Sequence, residues 1–412
     1  MKMTCGAVQR CVWILALISW VAAVSQQPIF AQAANNGSSV SLEIDRIEQL
    51  LGHLPDRAPA LSQLAHDYAA LGQLRKAMAL VKEYVSLREG YTPEGDPAFD
   101  TVKESGEFRK LIEEVHREFP PVHHARNAFV IPERDLIPEG IALDVKAQNF
   151  YVSSLNRSKI VKISRAGITS DFVPSGKYHL HSVCGIKMDQ RNGDVWANTC
   201  RDDGTGAELV HFDHAGHLLG RFHASTPGPH LFNDLVLTDR GDIFLTDSLS
   251  SQVFLFDLAT RRFTALSFPR SLYYPNGIAL SGQGQSLYVS DAFGILRYDL
   301  RSRTATEVRS NIPVSIAGFD GLYWYKNMLV GIQNSLGLPR VVQFRLSPSG
   351  ARVTGMRVLE YRTEFVHSPT TGAIEGAQFY FMTNTQYDNW ASGRVLNTGE
   401  LAPVRVAAIE LE

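Results

Sequence analysis

From residue 125 onward the chain alternates apolar and polar positions in short runs, each closed by a turn rich in Gly, Asp or Asn. Ile141-Ala-Leu leads into Asn149-Phe-Tyr-Val, and Ile278-Ala-Leu into Ser286-Leu-Tyr-Val-Ser; Leu235-Val-Leu and Leu322-Tyr-Trp open further runs. A period of two predicts half-buried strands. The marker positions Gly140, Gly185, Asp234, Gly277, Gly321 and Gly372 recur at intervals of 43–51 residues. Such a period, with about four strands per unit, predicts an all-β six-bladed β-propeller. Asn127–Pro132 is expected to supply the outer strand of the last blade, beside Arg405–Leu411, which would remove an open sheet edge.

Ahead of the strands, residues 41–119 follow a helical pattern. Leu64, Ala65, Tyr68, Gly72, Ala77 and Val81 have the spacing of a tetratricopeptide unit, whose small residues let two helices approach closely. A second helical pair is expected at Pro97–Lys103 and Glu107–Glu118. One clear unit is too few to stack into a repeat array, so the segment reads as a helical cap on the main domain. A site for a protein partner is the sharper alternative. Pro120-Pro121 marks the boundary, giving a cap at 41–119 and a propeller at 125–412.

Composition is globular, with 44% hydrophobic and 20% charged residues in a chain of 412. Residues 1–33 stand apart. Lys2 and Arg10 precede the apolar run Cys11–Val24, and Ala31-Gln32-Ala33 offers a cleavage site. This reads as a signal peptide, so a secreted or periplasmic protein is expected after cleavage near Ala33. The run is short for a membrane span, and no other stretch approaches one. The balance of 40 basic against 42 acidic side chains disfavours nucleic acid as a partner. Outside the leader only Cys184 and Cys200 remain. They flank a hairpin expected at Val183–Met188 and Asp194–Thr199, turning at Asn192-Gly193. That register brings them near each other, as a disulfide or as two buried thiols.

Four marks carry the chemistry: Pro138-Glu139-Gly140, Phe232-Asn233-Asp234, Pro275-Asn276-Gly277 and Phe319-Asp320-Gly321. Each opens the innermost strand of a blade, so Glu139, Asn233, Asn276 and Asp320 should meet at one mouth of the channel. An isolated Asn-Gly is ordinarily a turn. Four equivalent positions that all bear oxygen donors instead suit a divalent cation, calcium foremost, with zinc or manganese as alternatives. There is no G-x-S-x-G elbow, H-E-x-x-H motif, Walker loop or dinucleotide fingerprint.

These marks, with Gly241-Asp242-Ile-Phe and Leu287-Tyr288-Val289, resemble the senescence-marker-protein/gluconolactonase/luciferin-regenerating-enzyme-like family and, more distantly, the paraoxonases. The resemblance spans roughly residues 130–390. It implies a metal-dependent lactonase in which Glu139, Asn276 and Asp320 hold the metal and Asn233 completes the shell or contacts substrate. Asp320 would also be the general base, with Asp234 supporting the shell or serving as a second catalytic acid. Many sugar-lactone members carry an arginine where this chain has Leu231, which points to a more apolar lactone or ester as the small-molecule substrate.

His179 and His181 precede blade two, where His181 could act on the substrate as an acid–base or orienting group. His211, His214, His217 and His223 fall on a strand, turn and return strand that send them in different directions. The function expected is an exported metal-dependent hydrolase of a lactone or ester. The alternative is a non-enzymatic propeller in which the ion pins the blades and a partner binds.

Overall fold

The computed structural model describes residues 36–88, 93–201, 204–391 and 393–412. The leader read at residues 1–33 lies outside them. Six blades follow one another, each built on four antiparallel strands, and their first strands close a ring around a central axis. These inner strands are Ile141–Asp144, Ser182–Met188, Phe232–Leu237, Ile278–Leu280, Phe319–Tyr325 and Gly372–Glu375. The architecture is a six-bladed β-propeller preceded by a helical segment. No helix among the described residues is long and apolar enough to cross a membrane.

Blade six is closed as its sequence pattern predicts. Arg126–Ile131 pairs antiparallel with Val404–Glu410, from Arg126 opposite Ala408 to Ile131 opposite Val404. Ile131 is fully buried with Phe129, Val404, Val406 and Tyr380. Burying that one side chain stabilises the closure by about 1.5–3 kcal/mol. Blade five carries additional edge pairing, with Val122–His123 antiparallel and Arg309–Ser310 parallel to Arg352–Tyr361.

A belt of polar side chains on the second strands joins neighbouring blades. Ser153 Oγ donates to the carbonyl of Cys184 at 2.7 Å, Asn198 Nδ2 to that of Asn233 at 3.2 Å, and Thr246 Oγ1 to that of Asn276 at 2.7 Å. Ser290 Oγ donates to Phe319 O at 3.0 Å. Each bond ties one blade to the inner strand of the next, where buried carbonyls would otherwise lack partners. The glycines at the marker positions permit this proximity. A Cβ at Gly140 would lie 2.6 Å from the carbonyl oxygen of Cys184, and one at Gly277 would lie 2.5 Å from that of Asp320.

The helical segment contains α1 (Asn36–Leu51), α2 (Ala58–Ala70), α3 (Leu74–Ser86) and α4 (Gly106–Glu118). Leu64, Ala65 and Tyr68 of α2 are buried in one core with Ala77 and Val81 of α3. The helix expected at Pro97–Lys103 is only a 3-10 turn, Pro97–Phe99, capped by Asp96. The run is too short to propagate, because nucleating a helix fixes several dihedrals for the first hydrogen bond. Ser105 instead starts α4 by accepting from Phe108 N at 3.2 Å.

This segment sits on the propeller rather than beside it. Its core continues into Tyr273, Ala292, Phe293, Ala317 and Leu336, which lie on mouth-side loops of blades four and five. The buried carboxylate of Asp56 accepts from Ser315 Oγ at 2.8 Å and Ile316 N at 2.6 Å, and Ser315 N donates to Leu87 O at 2.9 Å. The cap is therefore fixed to the loops that lead into Asn276 and Asp320.

Candidate functional site

The residue that opens each inner strand at the mouth is Glu139, Cys184, Asn233, Asn276, Asp320 or Thr371 in blades one to six. Backbone geometry separates three of these from the rest. Two residues before Glu139, Asn276 and Asp320 the chain turns through the left-handed region, at Ile137 (φ 45°), Tyr274 (φ 51°) and Gly318 (φ 76°). A β-branched or aromatic residue there costs on the order of 1–3 kcal/mol and persists only where its surroundings hold it. The same sharp turn thus presents one oxygen-bearing side chain from each of blades one, four and five.

Their oxygens lack protein partners. Glu139 Oε2, Asn276 Oδ1, Asp320 Oδ1 and Asp234 Oδ2 are buried with no hydrogen bond, as is Asn198 Oδ1. An unsatisfied buried carboxylate oxygen is costly, and three of them beside the amide oxygen of Asn276 would suit a positive ligand. The other contacts orient the set. Asn334 Nδ2 donates to Asp320 Oδ2 at 2.6 Å and to Pro369 O at 2.8 Å, fixing the carboxylate plane. Asn233 Nδ2 donates to Ser248 Oγ at 3.1 Å.

The electrostatics record the same convergence. Burial pushes the Glu139 carboxyl well above its ordinary range, and the charges of Asp320 and Asp234 push it further. Burial raises Asp320 to about 7, opposed by the amides of Asn334 and Asn276 and assisted by Asp234. Burial also lifts the phenol of Tyr274, with Asp320 and Glu139 adding to it, so this residue ahead of Asn276 lies near both acids. Like charges this close repel unless a cation offsets them.

No three His, Cys, Asp or Glu side chains among the described residues form a metal shell by themselves. A shell here would have to include amides: Glu139 and Asp320 with Asn276, and with Asn233 or Asn198 at the margin. Carboxylate and amide oxygens suit a hard cation. Asn198 was not foreseen from the sequence; its signal is the equivalence with Ser153, Thr246 and Ser290 on the other second strands. Asp234 was foreseen, but its partner was not. Lys187 Nζ, from blade two, lies 2.8 Å from Asp234 Oδ1 and 5.8 Å from the centre of the Tyr323 ring in blade five.

His181 is half-buried with its ring beside Gly206, and among the described residues no hydrogen bond joins it to Glu139, Asp234 or Asp320. His179 ends a short 3-10 turn nearby. His230 is tied down at both ring nitrogens, by the Asp247 carboxylate and by Thr226 O. Burial opposes its charge, and the Asp247 carboxylate and Thr226 carbonyl outweigh that, so its pKa is held above the ordinary histidine value. His211 stacks on Trp196 and pairs with Asp194, while His217 pairs with Asp213 and His223 with Glu208, so these histidines serve separate contacts.

The mouth has one apolar wall. Cys184 and Cys200 form a disulfide and pack with Ile137, Leu155, Trp390 and Leu401, against which Leu231 and Val395 lie. Trp390 and Val395 belong to a small hairpin inserted between the second and third strands of blade six, on the mouth side. Leu231 is thus part of this wall.

No family profile matches the chain, and no curated protein matches it significantly. Solved structures do resemble it. A PQQ-bound aldose sugar dehydrogenase from Streptomyces coelicolor matches with 14% identity over 71% of this chain and 100% of its own, at a TM-score of 0.50. A gluconolactonase from Xanthomonas campestris matches with 14% identity over 70% of this chain and 91% of its own, at 0.48. Virginiamycin B lyase from Staphylococcus aureus matches with 15% identity over 70% and 98%, also at 0.48. What the chain shares with these proteins is the propeller fold.

Proposed function

We propose that this chain is a divalent-cation-dependent hydrolase that opens a lactone or related ester at the mouth of the propeller channel. One observation carries the reading. Glu139, Asn276 and Asp320 are presented by the same left-handed turn, and each keeps a buried oxygen without a partner. This donor set suits calcium; zinc and manganese are the alternatives to test. A cation bound there would polarise a substrate carbonyl and offset the charge that develops on its oxygen.

The remaining roles belong to the chain. Asp320, held in plane by Asn334, is the carboxylate placed to take a proton from the attacking water. Asp234 is paired to Lys187, so its role is to position and balance charge rather than to act as base. The apolar wall of Leu231, Ile137, Trp390 and the disulfide favours a substrate with an apolar arm over a polyhydroxylated sugar lactone. His181 is a candidate for orienting that arm. Export remains part of the reading, supported by the Cys184–Cys200 disulfide.

The test is a panel of alkyl lactones, sugar lactones and aryl esters, assayed with chelator and after return of calcium, zinc or manganese. Cation-restored turnover of apolar lactones that Asp320→Ala abolishes, with the fold intact, is expected. Should the cation raise the melting temperature while no ester or lactone is ever cleaved, the non-enzymatic propeller takes its place.

A further inference from the structure

The candidate ion site contains one acid more than a divalent cation needs. Glu139, Asp320 and Asp234 each raise or feel the charge of the others, and together they carry three negative charges when ionised. Asp234 is 2% exposed and sits at the marker position that is glycine in the other five blades. Its Oδ1 accepts from Leu235 N at 2.8 Å and from Lys187 Nζ at 2.8 Å, while its Oδ2 is buried without a partner. Lys187 reaches this carboxylate from the inner strand of the neighbouring blade, and its ammonium lies over the Tyr323 ring on the far side of the axis.

We propose that Lys187 sets the charge preference of the ion site. Its ammonium cancels one carboxylate and leaves a formal charge of two, matched to a divalent cation and set against a trivalent one. This rests on the ion-site reading of the preceding section. The physical argument is the scaling of Coulomb energy with ionic charge. A fixed positive charge repels a trivalent ion one and a half times as strongly as a divalent ion at the same place. Ligand charge count is a main lever by which proteins tune cation affinity. Asp234 is buried and Lys187 only about one-fifth exposed (22%), so solvent screens the pair less than it would at the surface.

Lys187 acts through Asp234 and the field on the axis, and is a positioning residue in that sense. If its removal tightens calcium binding by about a hundredfold, the same field gives a trivalent ion roughly a thousandfold, so the ratio moves about tenfold.

The experiment is titration calorimetry with calcium and with terbium, at pH 8, on the full chain. The proteins are wild type, Lys187→Met, Lys187→Arg, Asp234→Asn and the double variant Lys187→Met/Asp234→Asn. Circular dichroism checks that each is folded. The terbium-to-calcium affinity ratio should rise about tenfold in Lys187→Met and stay near wild type in Lys187→Arg. It should fall back in the double variant, where the formal charge is again two, and drop below wild type in Asp234→Asn. An unchanged ratio in folded Lys187→Met overturns the proposal while leaving the ion site standing. Wild-type protein that binds neither ion overturns the ion-site reading and this inference with it.

Discussion

Replacing Asp320 by asparagine removes one of three carboxylates that lose their water together on the propeller axis. In the folded, ion-free chain that carboxyl is held at about 7 against an ordinary 3.8, chiefly by burial. The unfolded chain therefore releases this proton near pH 4, whereas the folded chain keeps it until near pH 7. Above pH 7 the folded state carries the full cost of the mismatch. Between pH 7 and pH 4 that cost is relieved as the folded carboxyl is protonated, and below pH 4 the group contributes nothing. About three pH units at about 1.4 kcal/mol each amounts to roughly 4 kcal/mol at pH 8. For a protein of this size that is a melting-temperature change of roughly 5 °C. Asparagine keeps the acceptor for Asn334 and removes the charge, so in chelator Asp320→Asn should melt roughly 5 °C above wild type at pH 8 and converge with it near pH 4. Calcium should invert the order at pH 8, because it stabilises wild type by mass action and the variant much less. The assay is a set of thermal melts at pH 4 to 8, with chelator and with calcium. A variant less stable than wild type in chelator at pH 8 would refute the reasoning. So would a wild-type melting temperature indifferent to pH in chelator.

Three further outcomes follow from the contacts. Asp56→Ala leaves the Ile316 amide and the Ser315 hydroxyl buried without their acceptor; a loss of about 3 kcal/mol in urea unfolding, with faster proteolysis in α1–α3, is expected. Reducing or deleting the Cys184–Cys200 disulfide, which spans a sequence separation of 16, should cost about 3 kcal/mol by the chain-entropy estimate. The same change should loosen the apolar wall, read as a higher KM for alkyl lactones. Asn198→Ala breaks the bond to the Asn233 carbonyl, so about 1–3 kcal/mol and a weaker calcium affinity should be lost together; unchanged calcium affinity would show that Asn198 serves blade packing alone.

Much of this protein was legible in its sequence because propeller blades are local. Each is built from consecutive strands joined by short turns, so the period from Gly140 to Gly372 gives the blade count. The alternation gives the strands, and the run at Asn127–Pro132 gives the closure. Glu139, Asn233, Asn276 and Asp320 could be singled out as candidate donors because they occupy equivalent places in a repeat. The sequence could not show which of those places the backbone treats alike. That depends on the left-handed turns at Ile137, Tyr274 and Gly318, which carry no single residue signature.

What lies between blades was decided only by the tertiary structure. Lys187 meets Asp234, and Asn198 meets the Asn233 carbonyl, because closing the ring sets strands of different blades side by side, and no sequence spacing encodes that distance. The docking of the cap by Asp56 on Ser315 and Ile316 spans some 260 residues. Sequence alone placed oxygen donors at one end of an axis, since repetition is a property of order along the chain. Their burial, their missing partners and the ammonium that offsets one of them arise from packing. Packing is a property of the closed ring.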